Sequence, residues 1–377
     1  MPEILFFFSV VLIVHAYFGY PLSLLLIGAL RGKEVKKGSL VPSLTFIITA
    51  HNEEKRIQKK LENTLRLVYP RDKLQVIVAS DGSTDRTNEI VQRYHNEGIE
   101  VLELTERKGK EHAQKVAVGQ AKNEIVVFTD VATMLDPDCP HHIVSNFADS
   151  SVGCVSSEDR LIRNDGKPSG ESLYVRYEMW LRRLESRVNT LVGLSGSLFA
   201  VRKGLCEDFS GEMQSDFRMV LNCVGAGLRA VSDPKVIGYY QDVEEEKQEF
   251  DRKVRTVLRG LTVFFQHLHF LNILKYGLFS YQYFCHKLLR WSVPFLLVIA
   301  FLANILLATK SSLYLFLLLT QSSFYILGIG GMIWSIPFFK TLFKIPGYFL
   351  TVNASILFAW LQYFKGKRVV MWVPTER

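Results

Sequence analysis

The chain has 377 residues, of which 48% are apolar, and a formal net charge of +8. This length allows two domains or one large domain. The charge is uneven, because the residues from Gly260 onward hold ten Lys and Arg but a single acid, Glu376. A basic, acid-poor and aromatic-rich C-terminal part favours a membrane partner and argues against nucleic acid. The five cysteines show neither a CxxC nor a Cys/His ligand spacing, which predicts free thiols in a reducing compartment.

The N-terminal region predicts a transmembrane helix within residues 1–31. Residues 4–30 are almost continuously apolar, and about 20 such residues suffice to cross a bilayer. No positive charge precedes this run and no small-residue cleavage pattern ends it, so a signal peptide is the weaker interpretation. Four basic side chains within residues 31–37 then predict that the following region lies in the cytoplasm.

Residues 40–243 predict an α/β domain. Short runs rich in Val and Ile at 44–50, 74–80, 100–104 and 124–130 indicate strands, and helix-like stretches at 53–67, 84–97 and 111–121 separate them. Alternation of this kind is typical of parallel βαβ units. Since ligands bind at the carboxyl ends of such strands, we expect the functional residues there.

Acidic side chains follow three of the predicted strands. Glu53 comes after the first strand, Asp81 after the second, and Asp130 ends the strand at 124–130. Each has an ordinary explanation on its own: a helix cap for the first, an Asp-Gly turn before a helix for the second, and a solvated loop residue for the third. Three acids at one edge of one sheet together predict a binding site.

Other polar residues are compatible with either a site or plain structure. Lys110, with its neighbour Lys108, could meet a phosphate or lie on a solvated turn. Asp216 stands near the start of a predicted helix, where the helix dipole alone would favour an acid. Gly196 and Ser197 could line a slot beside a ligand or belong to a Gly-rich strand.

The C-terminal third predicts an interfacial region followed by membrane spans. Residues 244–287 begin with an acidic run and continue as a basic amphipathic helix that carries Arg252 and Arg255. Three apolar segments follow within 288–377, at 291–308, 313–333 and 345–364. Four crossings in all would place the basic residues 365–368 outside, against the positive-inside rule, so either the last segment does not cross or the rule fails for it.

Taken in order from residue 47 to residue 231, the polar motifs resemble the family 2 glycosyltransferases of the GT-A fold. The motifs are IITAHNEE (47–54), VIVASDGSTDRT (76–87), RKGKEHAQ (107–114), VVFTDVATML (126–135), GLSGSLFAVRK (193–203) and QSDFRMVLNCVGAGLRAV (214–231). The membrane segments fit the bacterial members that make polysaccharides and glycolipids. The resemblance implies a GT-A catalytic domain, with a Rossmann-like mixed, mostly parallel sheet, on the cytoplasmic side of the inner or plasma membrane.

The resemblance further implies inverting transfer of a sugar from a nucleotide diphosphate donor to a lipid-linked, polyprenyl-type glycan acceptor, in exopolysaccharide or cell-surface glycan synthesis. It makes Asp216 the general base, and Asp130 the residue that binds Mg²⁺ or Mn²⁺ together with the donor phosphates. The nucleotide sugar is expected at Ala50, Glu53, Asp81, Lys110 and Asp130, and the acceptor and diphosphate at Gly196, Ser197, Arg252 and Arg255.

Two departures from the family pattern leave alternatives open. Ala132 stands where a second carboxylate would complete an Asp-x-Asp pair, so a second metal ligand would have to come from elsewhere, such as Asp136, or metal dependence would be weak. Thr256 stands where polymerising relatives have Trp, which favours addition of one sugar over a processive polysaccharide synthase of the cellulose or hyaluronan synthase type. A non-catalytic relative that binds a nucleotide sugar is the remaining alternative, and only Ala132 supports it.

Overall fold

The computed structural model describes residues 1–162, 173–209, 211–241, 246–333 and 340–369. Contacts divide the chain into two compact units. The helical unit contains Met1–Ser23 and Glu245–Arg368, and the sheet unit contains Leu24–Glu244. Of the acidic run at 244–246, only Glu246 falls within the described residues.

The helices of the described residues fall into both units. They are α1 Pro2–Val14, α2 Tyr20–Arg31, α3 Ile57–Leu65, α4 Thr87–Gln92, α5 Lys110–Gln120, α6 Cys139–Asn146, α7 Leu173–Val188, α8 Ser215–Gly225, α9 Glu246–Gln266, α10 Ile273–Tyr276, α11 Leu278–Tyr283, α12 Arg290–Leu307, α13 Ser312–Ile333 and α14 Lys340–Phe364.

One mixed sheet organises the sheet unit, in the order β3-β2-β1-β4-β7-β6-β8-β5. Strands β3, β2, β1 and β4 run parallel to one another, β7 is antiparallel to both of its neighbours, and β8 is parallel to β6. This is the Rossmann-like, mostly parallel arrangement expected from the sequence. The strands are β1 Leu44–Ala50, β2 Leu74–Asp81, β3 Ile99–Leu104, β4 Ile125–Asp130, β5 Met134–Leu135, β6 Val152–Ile162, β7 Leu198–Arg202 and β8 Arg229–Gln241.

The central strand β1 is buried along its whole length. One of its faces carries Phe46 and Ile48 into a core that also contains Ile57 and Leu61 of α3. A strand covered on both faces reads as a continuous apolar run, which is why β1 was visible in the sequence. Each fully buried side chain of this size contributes about 1.5–3 kcal/mol to folding.

Parallel pairing brings the acid-bearing strand ends to one edge of the sheet. In the register of β1, Ala50 lies opposite Ser80 of β2, and Thr49 lies opposite Asp130 of β4. The turn after β2 needs Gly82, which has a φ of +59°. A Cβ on Gly82 would lie 2.7 Å from the backbone nitrogen of Arg107, so the absent side chain lets two loops meet at this edge.

Three helical segments are long and apolar enough to cross a membrane. In the part of the chain that the structure describes, these are Pro2–Arg31, Leu278–Leu307 and Ser312–Gly330. The second helix begins 13 residues before the segment predicted at 291–308, because its first turns carry polar residues such as Gln282 and Lys287 that hydropathy excludes. The predicted segment at 345–364 lies in the helix α14, which is not among those three.

Candidate active site

Asp81 ties together three backbone segments at the edge of the sheet. Its two carboxylate oxygens accept hydrogen bonds from the backbone N–H groups of Lys108 and Gly109, each at 2.8 Å. Its carbonyl oxygen accepts a hydrogen bond from Nδ1 of His51, at 2.7 Å. Asp81 is almost fully buried. The end of β2 therefore fixes both the turn after β1 and the loop that leads into α5.

Lys110 and Asp130 form an ion pair at the same edge. Lys110 is the first residue of α5, and its Nζ lies 2.5 Å from Oδ1 of Asp130 at the end of β4. The same ammonium donates a hydrogen bond to the carbonyl oxygen of Gly196, at 2.9 Å. The side chain of Lys110 is 9% exposed and that of Asp130 is 21% exposed, so the pair is largely shielded from water. The Lys110 cation thus joins β4 to the segment that precedes β7.

Asp216 approaches this pair from α8. It lies in the first turn of α8, where a negative charge is favoured by the helix dipole. A Cβ on Gly196 would lie 3.3 Å from Oδ2 of Asp216, so the two residues are in near contact. The backbone N–H of Leu194 donates to the carbonyl oxygen of Asp216, at 3.1 Å. Gly196, whose carbonyl oxygen accepts the hydrogen bond from Lys110, therefore also lies next to the carboxylate of the predicted base Asp216.

Glu53 lies at the same edge but is engaged by a neighbour. Its carboxylate makes two hydrogen bonds to the guanidinium of Arg56, at 2.7 and 2.8 Å, and the side chain is almost fully buried. Burial raises the pKa of Glu53, and the charge of Arg56 opposes that rise. Ala50, at the end of β1, is fully buried in the core, so its methyl group serves packing.

Ser195 and Ser197 both contact Asp159, an acid to which the sequence analysis gave no role. Oδ1 of Asp159 accepts hydrogen bonds from Oγ of Ser197 at 2.9 Å and from Oγ of Ser195 at 2.6 Å. The carbonyl oxygen of Ser197 also accepts a hydrogen bond from the backbone N–H of Asp130. The partners of Asp159 lie 36 and 38 positions away in the sequence, so no local motif pointed to this residue.

Lys60 is a second residue that the sequence did not single out. Lys60 belongs to α3, and its buried Nζ donates to Oγ1 of Thr129 at 3.0 Å and to the carbonyl oxygen of Thr133 at 2.5 Å. Burial lowers the pKa of Lys60 to about 7, and the charge of Asp130 partly opposes this. The amine contacts the side chain of Thr129 before Asp130 and the backbone carbonyl of Thr133 after it, so it fixes the turn in which Ala132 stands.

The donor set at Asp130 suits a divalent ion only if other ligands come with a substrate. Oδ1 of Asp130 is taken by Lys110, which leaves Oδ2 for a cation. Ala132 offers no oxygen from its side chain, and Asp136 accepts hydrogen bonds from the first residues around α6 instead. No group of three His, Cys, Asp or Glu side chains within the described residues could hold a metal. One carboxylate with diphosphate oxygens and water remains a workable set for Mg²⁺ or Mn²⁺.

Arg252 and Arg255 lie on α9, in the helical unit. The guanidinium of Arg252 makes two hydrogen bonds to Glu249, at 2.6 and 2.8 Å. Burial lowers the pKa of Arg255, and the charges of Arg259 and Arg252 lower it further. Their role at an acceptor or diphosphate stays a prediction.

Comparisons with known proteins agree with the resemblance found in the motifs. Residues 45–209 match the family model described as glycosyl transferase family 2. The poly-beta-1,6-N-acetyl-D-glucosamine synthase of Staphylococcus aureus (strain COL) is 30% identical over 159 residues, which are 40% of this chain and 38% of that protein. The synthase of Staphylococcus epidermidis is 27% identical over 173 residues, 45% of this chain and 41% of that protein. The chain thus spans about two fifths of the length of these curated relatives.

A solved structure shares the fold over nearly the whole chain. It is titled as the mannosyltransferase PcManGT from Pyrobaculum calidifontis in complex with GDP-Man and Mn²⁺. The TM-score is 0.73, with 24% sequence identity, and the match covers 98% of this chain and 100% of that one. The GT-A fold predicted from the sequence is confirmed.

Proposed function

The chain carries a family 2 glycosyltransferase domain at residues 45–209, and from this premise we propose that it is a membrane-bound inverting glycosyltransferase. It would move a sugar from a nucleotide diphosphate donor to a lipid-linked glycan acceptor, in exopolysaccharide or cell-surface glycan synthesis. The observation that carries this proposal is the set of contacts that joins Asp130 through Lys110 to Gly196, with Oδ2 of Asp216 only 3.3 Å from where a Cβ on Gly196 would lie. A phosphate-binding cation and a candidate base thereby meet on one short segment.

The donor would bind at the edge formed by β1, β2 and β4. We propose that its base and ribose bind at the strand ends that carry Ala50, Glu53 and Asp81, since carboxylates accept hydrogen bonds from ring N–H groups and sugar hydroxyls. The mannosyltransferase with the shared fold was solved with GDP-Man, which supports a nucleotide sugar as the donor class.

The diphosphate would lie between Lys110 and Asp130. Lys110 is a compact cation that is already fixed by two acceptors, so it can stabilise negative charge on phosphate without costly rearrangement. Mg²⁺ or Mn²⁺ held by Asp130 would neutralise the diphosphate as it leaves. The Mn²⁺ in the mannosyltransferase structure supports this choice of metal.

Asp216 would act as the general base. The acceptor hydroxyl oxygen attacks the anomeric carbon, the bond from that carbon to the phosphate oxygen breaks, and the hydroxyl proton passes to Asp216. Attack from the face opposite the leaving diphosphate inverts the anomeric configuration. Gly196 has no side chain to fill the space beside Oδ2 of Asp216, which supports an acceptor site at Gly196 and Ser197. The proposal that Arg252 and Arg255 bind the acceptor or diphosphate rests on the sequence alone.

A lipid-linked acceptor is supported by the helices that are long and apolar enough to cross a membrane. The basic residues at 31–37 support a catalytic domain on the cytoplasmic side of the inner or plasma membrane. A processive polysaccharide synthase is the second candidate, because the curated relatives are named as synthases of a polymer. Thr256, at the position of the Trp in polymerising relatives, favours addition of a single sugar.

The experiment uses the full chain, solubilised in detergent or placed in nanodiscs. UDP- and GDP-sugars are supplied with lipid-linked acceptors, with Mg²⁺, Mn²⁺ or EDTA, and both the released nucleotide and the product size are measured. Transfer that needs one donor and is absent in the Asp216→Asn variant supports the proposal. A long polymer would favour the second candidate. A protein that binds a nucleotide sugar but neither transfers nor hydrolyses it would overturn both and leave the non-catalytic alternative.

A further inference from the structure

The backbone of residues 194–197 is the point where the two halves of the candidate site meet. The carbonyl oxygen of Gly196 accepts the hydrogen bond from Lys110, while a Cβ on Gly196 would lie 3.3 Å from Oδ2 of Asp216. Gly196 itself is exposed and has no side chain that could hold it in place. Whatever fixes this segment therefore also fixes the spacing between the Lys110 cation and the candidate base.

A carboxylate holds the segment through both residues that flank Gly196. Oδ1 of Asp159 accepts hydrogen bonds from Ser195 at 2.6 Å, from Ser197 at 2.9 Å and from Ser157 at 3.2 Å. The hydroxyls of Ser195 and Ser197 are also 2.9 Å from each other. Both flanking side chains thus converge on one oxygen.

Asp159 is itself well fixed. It belongs to β6, and its neighbour Glu158 forms a two-point ion pair with Arg183 of α7, at 2.5 and 2.9 Å. In the sheet, Asp159 lies opposite Gly238 of β8. A carboxylate oxygen that accepts hydrogen bonds from hydroxyl groups forms bonds roughly twice as strong as those between neutral groups. The anchor of the 194–197 segment is therefore both rigid and charged.

We propose that Asp159 is a positioning residue for the transfer reaction. Through Ser195 and Ser197 it holds the carbonyl of Gly196 against Lys110 and keeps the gap beside Asp216 open. It binds neither donor nor acceptor. This inference rests on the proposed function, because it assigns to Asp159 the alignment of the cation and the base that the proposed reaction uses.

The test compares three variants of the full chain: Asp159→Ala, the double variant Ser195→Ala/Ser197→Ala, and the triple variant. We expect each to lower kcat by about 10- to 100-fold, since a displacement of about 1 Å in a reacting group has an effect of this size. The Kd for the nucleotide should change less than twofold. The triple variant should be no slower than the worse of the other two, because all three side chains act through one set of contacts. Asp159→Asn keeps an acceptor oxygen and should recover most of the rate.

Asp149→Ala supplies a matched control. Asp149 also accepts a hydrogen bond from a serine hydroxyl, that of Ser151 at 2.7 Å, but within the described residues the hydrogen bonds to its side chain come from Lys36 and Ser151, outside the candidate site. We expect its kcat to equal that of the wild type. Hydrogen exchange of residues 190–200 should be faster in Asp159→Ala than in Asp149→Ala.

The two proposals can fail separately. If the wild type transfers no sugar from any donor, the proposed function fails, and hydrogen exchange still decides whether Asp159 fixes the segment. If the wild type is active, the inference is overturned by an unchanged kcat in Asp159→Ala, by losses that multiply in the triple variant, or by exchange equal to that of the control.

Discussion

The two ends of the candidate site hold their charged side chains in different ways. At the donor end, both oxygens of Asp81 are bound by backbone N–H groups, and Lys110 and Asp130 are paired with each other. At the acceptor end, the carboxylate of Asp216 accepts a hydrogen bond from Gln214, at 3.2 Å, and from no other side chain in the described part of the chain. The donor-end side chains are thus held in place by charged or backbone partners, whereas the carboxylate of Asp216 has one amide partner and keeps lone pairs open.

This difference follows from what each end would have to do. A diphosphate is stabilised best by charges and dipoles that are already in place, because nothing then has to reorganise during the reaction. A base has to accept a proton from the acceptor hydroxyl, so an oxygen that is already fully bound would be a poor one. Substitutions at the two ends should therefore change different kinetic constants.

The largest effect is expected at the open end. Asp216→Asn keeps the shape and the helix position of the side chain but cannot take up a proton at neutral pH. We expect kcat to fall by about 10²- to 10⁴-fold while the Kd for the nucleotide stays within twofold. Transfer assays and nucleotide titration measure the two quantities. A weaker nucleotide affinity with an unchanged kcat would place Asp216 in the donor pocket instead.

A smaller effect is expected for the paired cation. Lys110→Met removes the charge at the predicted diphosphate position, and a charged hydrogen bond is worth about 1.5–3 kcal/mol, so kcat/KM should fall by about 10- to 150-fold. Lys115→Met is the matched control, because Lys115 lies exposed on the same helix α5. If both variants lose the same activity, Lys110 does not meet the donor.

Restoring the second carboxylate tests the metal at the donor end. Ala132→Asp would supply a second oxygen ligand near Asp130, so the Mg²⁺ or Mn²⁺ concentration for half-maximal activity should fall by about tenfold, an effect of about 1.4 kcal/mol. Metal titration of transfer activity measures this, and EDTA should abolish activity in both proteins. Ala132→Asn, which adds similar volume without charge, is the control. Activity of the wild type that is unaffected by EDTA would contradict a metal at Asp130.

The last prediction concerns stability, not activity, and involves the buried Lys60. Its pKa of about 7 lies below the ordinary value of 10.5, so between these pH values the unfolded chain binds a proton that the folded protein does not. Stability should therefore rise with pH above 7, by at most about 2.7 kcal/mol up to pH 9. Thermal unfolding should show this rise in the wild type and in Lys59→Met, which changes an exposed neighbour, but not in Lys60→Met. An identical pH dependence in Lys60→Met would mean that the buried amine does not titrate in this range.

The central strands could be predicted almost to the residue. The segment predicted at 44–50 is β1, and those at 74–80 and 124–130 differ from β2 and β4 by one residue, because strands buried on both faces are plain apolar runs. The helix that follows β1 was predicted from residue 53, but α3 begins at Ile57. Residues before it form a turn in which the N–H of Glu53 donates to Oγ1 of Thr87, a contact that local periodicity does not reveal.

The site was predictable where a motif supplies its own geometry, and not where a residue depends on distant partners. Asp81, Lys110 and Asp130 stand beside strand ends that the sequence already locates. Asp159 meets two serines that lie 36 and 38 positions away, and Lys60 reaches Thr129 from 69 positions away. Such contacts arise only once the sheet order is known. The ion pair of Glu53 with Arg56 lies three residues apart and was within reach of the sequence.

Strand β1 is hydrogen-bonded to β2 on one side and to β4 on the other, so the sheet sets a fixed spacing at the edge where the donor would bind. Asp81 and Asp130 lie on strands two places apart, so about 10 Å of rigid backbone spacing separates the lines on which they sit. Exchanging a side chain cannot alter a length that main-chain hydrogen bonds dictate. Differences between donor sugars would then be accommodated by loops outside the sheet, which can change in sequence and length without altering the strand spacing.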